Sequence, residues 1–403
     1  MLLSTRVRDI QDSITMKLNE KAIELTEEGR VVYNLSGGQL PIKPLPEFIE
    51  KIHHQLNFLK SYQYSPSAGF VALRKKLLKH FADTRHLSAD LLENWDAIVS
   101  NGSKHSLYNA LGAVVNPGDE VILLAPYWVT YPEIIKFWGA TPKIVKSNVY
   151  DAFVPAVDDI RKLVTEKTKA IIVNSPNNPS GVHYSDDWMR EFAAFLKERP
   201  GLIVISDEVY ADLCYFDPKP TYFYQIDKSL LAQTIVVHAI SKTLAATGLR
   251  LGYAIAPAEV TAAMGRIQGQ TTSGPNSLMQ RSLLDFDLSH LESFLTPIRN
   301  HIRLNAAFLR EKFREANLGH CWYQSTSAFY FMIDFSRTPM FKRFGDEGDR
   351  SDVISDELLN KEGILVVPGR DFGIPNSARI SLVIEEIPFQ EAISKIIKYL
   401  KKH

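Results

Sequence analysis

Six short apolar runs, at residues 97–100, 121–125, 170–174, 202–206, 234–239 and 251–255, constrain the fold more than any other feature of the chain. They are rich in Val and Ile and apolar on both faces, as strands buried inside a parallel sheet are. Amphipathic stretches such as residues 105–115 and 186–197 fall between some of them. That alternation predicts an α/β fold whose mainly parallel sheet is covered by helices on both sides.

At 403 residues the chain is too long for one ordinary core, and two domains are expected. The pattern changes near residue 290. A long helix over 289–315 leads to a strand at 328–334, a charged loop at 342–352, a helix, strands at 364–367 and 379–383, and a last helix at 389–401 whose terminal lysines cap it. This is an α+β portion of about 110 residues, enough for a smaller domain. Upstream of the sheet, residues 14–28 read as a helix closed by Gly29, and residues 31–35 as a short strand running into Ser36, Gly37 and Gly38. Pro41, Pro44 and Pro46 then form a rigid connector to a helix at 47–59. The expected division is an arm and small-domain segment over 1–46, a large domain over 47–290 and a small domain over 291–403.

Charge and cysteine usage exclude several classes. With 46 basic and 46 acidic residues, no overall field attracts nucleic acid or an anionic membrane. No apolar run reaches the roughly 18–20 residues of a membrane span. Arg6 and Arg8 are followed by no apolar stretch or cleavage site, so no secretory signal is expected. Cys214 and Cys321 are far apart and outside any metal-ligand spacing, which predicts neither disulfide framework nor zinc site and fits a reducing cytoplasm. Dinucleotide, phosphate-loop, nucleophile-elbow and zincin motifs are all missing.

The chemistry lies where the strands stop. Four runs end abruptly in polar residues: Ser100 to Lys104, Asn174 to Pro179, Ser206-Asp207-Glu208, and Ser241-Lys242. In an open parallel sheet ligands bind at the carboxyl ends of the strands, so these ends would bring a lysine, a carboxylate and an amide into one cleft. Gly102-Ser103-Lys104 opens a helix, and such a start binds phosphate through free backbone N–H groups; a simple helix cap also explains Ser103. Lys242 directly follows an apolar strand. Its amine becomes a nucleophile only when part of it is neutral, which desolvation or a nearby cation such as Arg250 promotes. Asp207 at the rim suits pairing with a protonated pyridine nitrogen.

Three blocks then carry a resemblance: Asn174-Ser-Pro-Asn-Asn-Pro-Ser-Gly181, Ser206-Asp-Glu-Val-Tyr210, and Ser241-Lys242 with Thr247-Gly-Leu-Arg250. In order and spacing they resemble the class I/II aminotransferases, pyridoxal-phosphate enzymes of fold type I. Further matches at residues 62–69, 102–104, 126–132 and 366–369 and at Arg379-Ile-Ser381 extend the likeness over nearly the whole chain. The resemblance implies a seven-stranded, mainly parallel sheet, a homodimer with sites at the subunit interface, and amino acid and 2-oxo acid substrates. Lys242 would carry the cofactor as a Schiff base and later shuttle the substrate proton. Asp207 would hold the ring nitrogen protonated, Asn178 and Tyr210 would donate to the ring oxygen, and Trp128 would stack on the ring. Gly102, Ser103, Ser241 and Arg250 would grip the phosphate, with Tyr64 reaching it from the neighbouring subunit. Arg379 would take the substrate α-carboxylate in its planar fork, helped by Gly38 and Asn178. Lys104 and Thr15 match a subgroup that acts on aspartate, where such a lysine meets the distal carboxylate and otherwise balances the phosphate.

Two positions depart from the family pattern. Ala239 stands where many relatives have a phosphate-binding serine, and Gly38-Gln39-Leu40 stands where Gly-Glu-Pro is frequent. The resemblance leads to an aspartate-type transaminase using 2-oxoglutarate; aromatic, prephenate or neutral amino acids, or C–S lyase chemistry on the same scaffold, remain as alternatives. An effector sensor fused to a DNA-binding module is disfavoured, because only about 30 residues precede the first strand.

Overall fold

The computed structural model describes residues 4–8, 10, 14–321, 323–344 and 348–402. After a two-residue strand β1 (Tyr33–Asn34), the chain builds its central sheet from β2 (Trp95–Ser100), β3 (Glu120–Leu124), β4 (Thr141–Val145), β5 (Thr168–Asn174), β6 (Ile203–Asp207), β7 (Thr234–Ala239) and β8 (Gly252–Pro257). The seven strands lie in the order β2-β8-β7-β6-β5-β3-β4. All six apolar runs have become strands, and β7 is buried along its whole length.

Two features depart from the sequence expectation. β8 runs antiparallel to both neighbours, β2 and β7, rather than parallel. Its apolar composition reports burial on two faces and carries no information on direction. β4 gives no apolar run in the sequence because it is an edge strand: Thr141 and Ile144 are exposed, and Pro142 and Lys143 interrupt the apolar pattern.

Strand register assembles the rim. Asn174 on β5 pairs with Asp207 on β6, Ala239 on β7 with Gly252 on β8, and Gly252 on its other side with Ser100 on β2. Because β8 is reversed, it begins at the rim where its neighbours end. Arg250, two residues upstream of it, therefore sits at the same edge as Asp207 and Lys242.

The smaller sheet contains β9 (Tyr330–Asp334), β11 (Val367–Pro368) and β12 (Ser377–Ser381), all antiparallel in the order β11-β12-β9. The strand expected at 364–367 is split: β10 (Ile364–Leu365) pairs parallel with β1, and the chain turns before β11. Helices Leu291–Glu315, Ser351–Glu362 and Glu386–Leu400 accompany this sheet. At the borders of the expected charged loop stand a 3₁₀ turn at Met340–Phe344 and a helix from Ser351. Of the terminal lysines, Lys401 closes the last helix, its N–H donating to the Ile397 carbonyl at 3.1 Å, while Lys402 pairs with Glu362. Backbone bonds from Leu35 to Leu365 (2.9 Å) and from Ser381 to Leu35 (2.7 Å) fasten residues 33–35 to this part of the protein, so the following segment, Ser36 to Gly38, has a fixed origin.

Next to Asp207, Glu208 turns the other way and is wholly buried against Arg85 at 2.6 Å, with Tyr224 (2.7 Å) and Ser206 (2.9 Å) donating to its second oxygen. Breaking such a pair strands a charge in low dielectric. Arg85→Met should therefore cost about 3–5 kcal/mol in urea unfolding. The double variant Arg85→Met/Glu208→Leu should recover part of that loss, because no unpaired charge remains.

Candidate active site

A cleft of about 570 Å³ opens over the rim. Lys242 lies in the short helix Ile240–Thr243 that follows β7, with its ammonium donating to the Gly38 carbonyl and lying 5.7 Å from the Tyr210 ring. Burial, then Arg379, then Arg250 disfavour its charged form and bring its pKa down to about 8. At neutral pH about a tenth of the amine is then a free nucleophile. Arg250, invoked from sequence as the nearby cation, is thus the lesser of two.

Asp207 ends β6 and is buried. Burial pushes its carboxyl up to about 6, against the Tyr131 hydroxyl at 2.5 Å and the Val209 N–H at 3.2 Å, both of which favour the anion. It has no ion-pair partner among the described residues, so it is a carboxylate prepared for a cation that the protein does not supply. Tyr131 lies in the first turn of the helix Thr130–Phe137 with Trp128 just before that helix, and the two rings meet edge to face at 5.6 Å.

Arg379, in the middle of β12, is 1% exposed and also lacks a carboxylate partner among the described residues. Its guanidinium donates to Asn178 Oδ1 (3.1 Å) and to the Ser36 carbonyl (2.7 Å), lies over the Tyr330 ring (4.4 Å), and leaves Nε unbonded. A buried charge in that condition calls for an anionic ligand. Asn178 is held by its own loop, its N–H donating to Asn174 Oδ1 at 2.8 Å, and Asn174 in turn donates to the Asp207 carbonyl at 3.0 Å. Tyr210 and Tyr330 share a hydroxyl contact at 3.2 Å.

The phosphate end is a backbone cradle. Gly102 has φ +87°, and a Cβ there would fall 2.4 Å from Arg250 Nη2; one on Gly252 would fall 2.3 Å from the Ser103 nitrogen. Only glycine lets the two chain segments close around the start of helix Ser103–Val114, where free N–H groups favour an anion. Arg250 is exposed and held by carbonyls of Thr247 (2.9 Å) and Asn101 (3.3 Å), with no carboxylate against it among the described residues. Lys104 stands 5.0 Å from the Trp128 ring centre, its ammonium destabilised by burial and by Arg250.

Of the residues singled out from sequence, Gly38, Ser103, Lys104, Trp128, Asn178, Asp207, Tyr210, Ser241, Lys242, Arg250 and Arg379 line this one cleft. Gly102 stands against its Arg250 wall. The Ser241 hydroxyl gives its proton to the Leu251 carbonyl at 3.0 Å, so it is engaged elsewhere and does not replace the serine missing at Ala239. Tyr64 is 91% exposed and does not enter its own chain's cleft. The Thr15 side chain lies outside the described residues.

The sequence of residues 30–396 matches the family described as aminotransferase class I and II. The chain belongs to that family. The aspartate/prephenate aminotransferase of Thermus thermophilus is 32% identical to it over 99% of this chain and 98% of its own. The aspartate aminotransferase of Bacillus subtilis is 29% identical over the full length of both. Among solved structures, Thermus thermophilus aspartate aminotransferase with maleate aligns with a TM-score of 0.88 at 29% identity, covering 99% of this chain and 100% of that one. The Thermotoga maritima aspartate aminotransferase aligns with a TM-score of 0.86 at 28% identity and the same coverage. The fold is therefore fold type I, and the protein is a transaminase dependent on pyridoxal 5′-phosphate. The chain's own residues fit that group at three points: a glycine cradle with Arg250 for the phosphate, an unpaired buried carboxylate for the ring nitrogen, and a partly neutral lysine for the aldehyde. Among the described residues no cluster could hold a metal ion, and no helix is long and apolar enough to cross a membrane.

Three residues of this aminotransferase cleft have no role assigned from the sequence: Tyr131, Asn174 (named there only as part of a strand end) and Tyr330. Tyr131 had a signal, since it follows Trp128 by three positions, one helical turn. Tyr330 had none, because a tyrosine inside a buried strand reads as core.

With a midpoint near 8, capture of pyridoxal phosphate by the cofactor-free protein should quicken about tenfold from pH 6 to pH 7 and level off above about pH 8. Arg379→Met removes the larger of the two cationic influences and should move that midpoint upward, as read by stopped-flow absorbance.

Proposed function

We propose that the protein transaminates dicarboxylic amino acids of the aspartate type, with 2-oxoglutarate as the acceptor. The observation that carries this is a second cation, Lys104, whose exposed side chain lines the same cleft as the buried Arg379 and has no carboxylate partner among the described residues. One cation suffices for an α-carboxylate; a cleft with another to spare suits a substrate with two. The names of the relatives in Thermus thermophilus and Bacillus subtilis agree with this reading. Prephenate is a second candidate acceptor, favoured by the name of the former and itself a dicarboxylate.

Pyridoxal phosphate, when bound, supplies an aldehyde for the amino nitrogen and a conjugated ring to receive the electron pair left at Cα. Every other task falls to side chains. Arg379 fixes the α-carboxylate by a planar fork, with Asn178 bracing the guanidinium. Asp207, steadied by Tyr131, holds a proton on the ring nitrogen and so keeps the ring electron-poor. Tyr210 and Asn178 would donate to the ring oxygen, and Trp128 would offer its face to the ring. Gly102, Ser103 and Arg250 hold the phosphate. Lys242, with its amine free, would take the proton from Cα as general base. Thr15 joins Lys104 at the distal carboxylate in the same proposal.

The reading includes a homodimer. A strip of exposed apolar residues, Leu56, Phe58, Leu59, Tyr62 and Tyr64, supports it, as unpartnered apolar surface of that kind marks an interface. Tyr64 from one subunit would then complete the phosphate site of the other. The division at residues 46/47 and 290/291 belongs to the proposal too, supported by the confinement of the large sheet to residues 95–257 and of the three-stranded sheet to 330–381. A cytoplasmic location is favoured by two buried thiols that form no disulfide.

Single-turnover rates with aspartate, alanine and phenylalanine test the substrate class. Aspartate should react at least about tenfold faster, and Lys104→Ala should remove most of that preference by raising the aspartate KM, a loss of about 1–3 kcal/mol. Equal rates that ignore Lys104→Ala would contradict the dicarboxylate reading.

A further inference from the structure

Tyr330 carries a hydroxyl whose position is not explained by packing. The residue is 1% exposed, in the first position of β9, and Phe329 beside it shows that a plain aromatic ring is tolerated in this layer. A phenol buried this deeply is costly unless its hydroxyl finds a partner, and the partner here is the Tyr210 hydroxyl at 3.2 Å. The other face of the matter is electrostatic. The Arg379 guanidinium lies over the Tyr330 ring at 4.4 Å, the closest of its two aromatic contacts, the second being Phe372 at 5.1 Å. Gly38 stands at the hydroxyl, where an added Cβ would meet it at 3.4 Å, so the backbone closes that side without offering a bond.

We propose that Tyr330 is a positioning residue that couples the carboxylate-binding arginine to the ring-oxygen donor, by donating its hydroxyl proton to Tyr210 while its ring seats Arg379. This rests on the roles given above to Tyr210 and Arg379. A phenol has one proton to donate. When Tyr210 gives its proton to the cofactor's ring oxygen, its own oxygen is left to accept, and Tyr330 is the group placed to donate. The guanidinium over the Tyr330 ring favours loss of its proton and so makes it the better donor of the pair, consistent with the directions of influence on the two phenols. Hydrogen bonds in such a chain polarise one another, so Tyr330 strengthens the bond from Tyr210 onward. A carboxylate arriving at Arg379 neutralises the charge over the Tyr330 ring and weakens that chain. Asn178, bonded to the same guanidinium, is a parallel connection, so Tyr330 carries part of the coupling rather than all of it. Lys242 and Asp207 are the other charged groups that face Tyr210.

Tyr330→Phe removes the hydroxyl and keeps the ring. In the cofactor-loaded protein the pH midpoint of the visible absorbance change should rise by roughly 0.3–0.5 pH unit, because a weaker donor disfavours the ionised ring oxygen. The further shift produced by saturating maleate, a non-reacting dicarboxylate, should shrink by about half, while the maleate dissociation constant stays within about twofold because Arg379 keeps its seat. In a Tyr210→Phe background the same substitution should change the midpoint by less than about 0.1 unit, as the chain is already cut. An unmoved midpoint in Tyr330→Phe, or the same shift with and without Tyr210, overturns the coupling. A parent protein with no titrating visible band overturns the reading of the site itself, and the two failures are told apart by that control.

Discussion

Arg379, Arg250, Lys104 and Lys242 gather around one cleft whose only carboxylate among the lining residues is Asp207. Arg379 is buried and Lys242 half-buried, and among the described residues the four cations meet backbone carbonyls, aromatic faces and the Asn178 amide oxygen, but no carboxylate in ion-pair contact. Such an arrangement is unfavourable until anions arrive. Burial, with the Arg379 and Arg250 charges adding to it, lowers the Lys242 amine into the range where it reacts at neutral pH. The one carboxylate is pushed the opposite way, to about 6, and waits for a positive partner. Phosphate, substrate carboxylates and a protonated ring nitrogen answer these demands one by one.

The sheet delivers those charges by register. Three strands end side by side at Asn174, Asp207 and Ala239, and a fourth starts there because it is reversed. Without that reversal Arg250 would emerge at the far edge, a strand length away from Lys242. The second sheet contributes Arg379 from the middle of a strand, where pairing with Val367 and Met332 fixes its backbone on both sides. Residues 36–38 link the two halves of the cleft, giving one carbonyl to Arg379 and another to Lys242.

Much of this was legible in the residues. Burial on two faces is a property of composition, so six of the seven central strands could be read, and the polar strand ends announced the rim. Strand direction was not legible, since Leu251 to Ile255 would look the same running either way. β4 was lost because an edge strand has little apolar surface to show. Family resemblance supplied Tyr210, Arg379 and Gly38, which periodicity alone leaves as ordinary core or loop positions. Tyr330 stayed hidden for the converse reason: its role depends on a hydroxyl contact across 120 residues of sequence, a relation that local pattern does not encode.

The account stands on the amine of Lys242. Borohydride reduction of the yellow holoprotein followed by peptide mapping addresses it most directly. The reduced cofactor should be found on the single peptide containing Lys242, at one equivalent per chain. Label on another lysine, or none at all with the colour retained, would contradict the central claim.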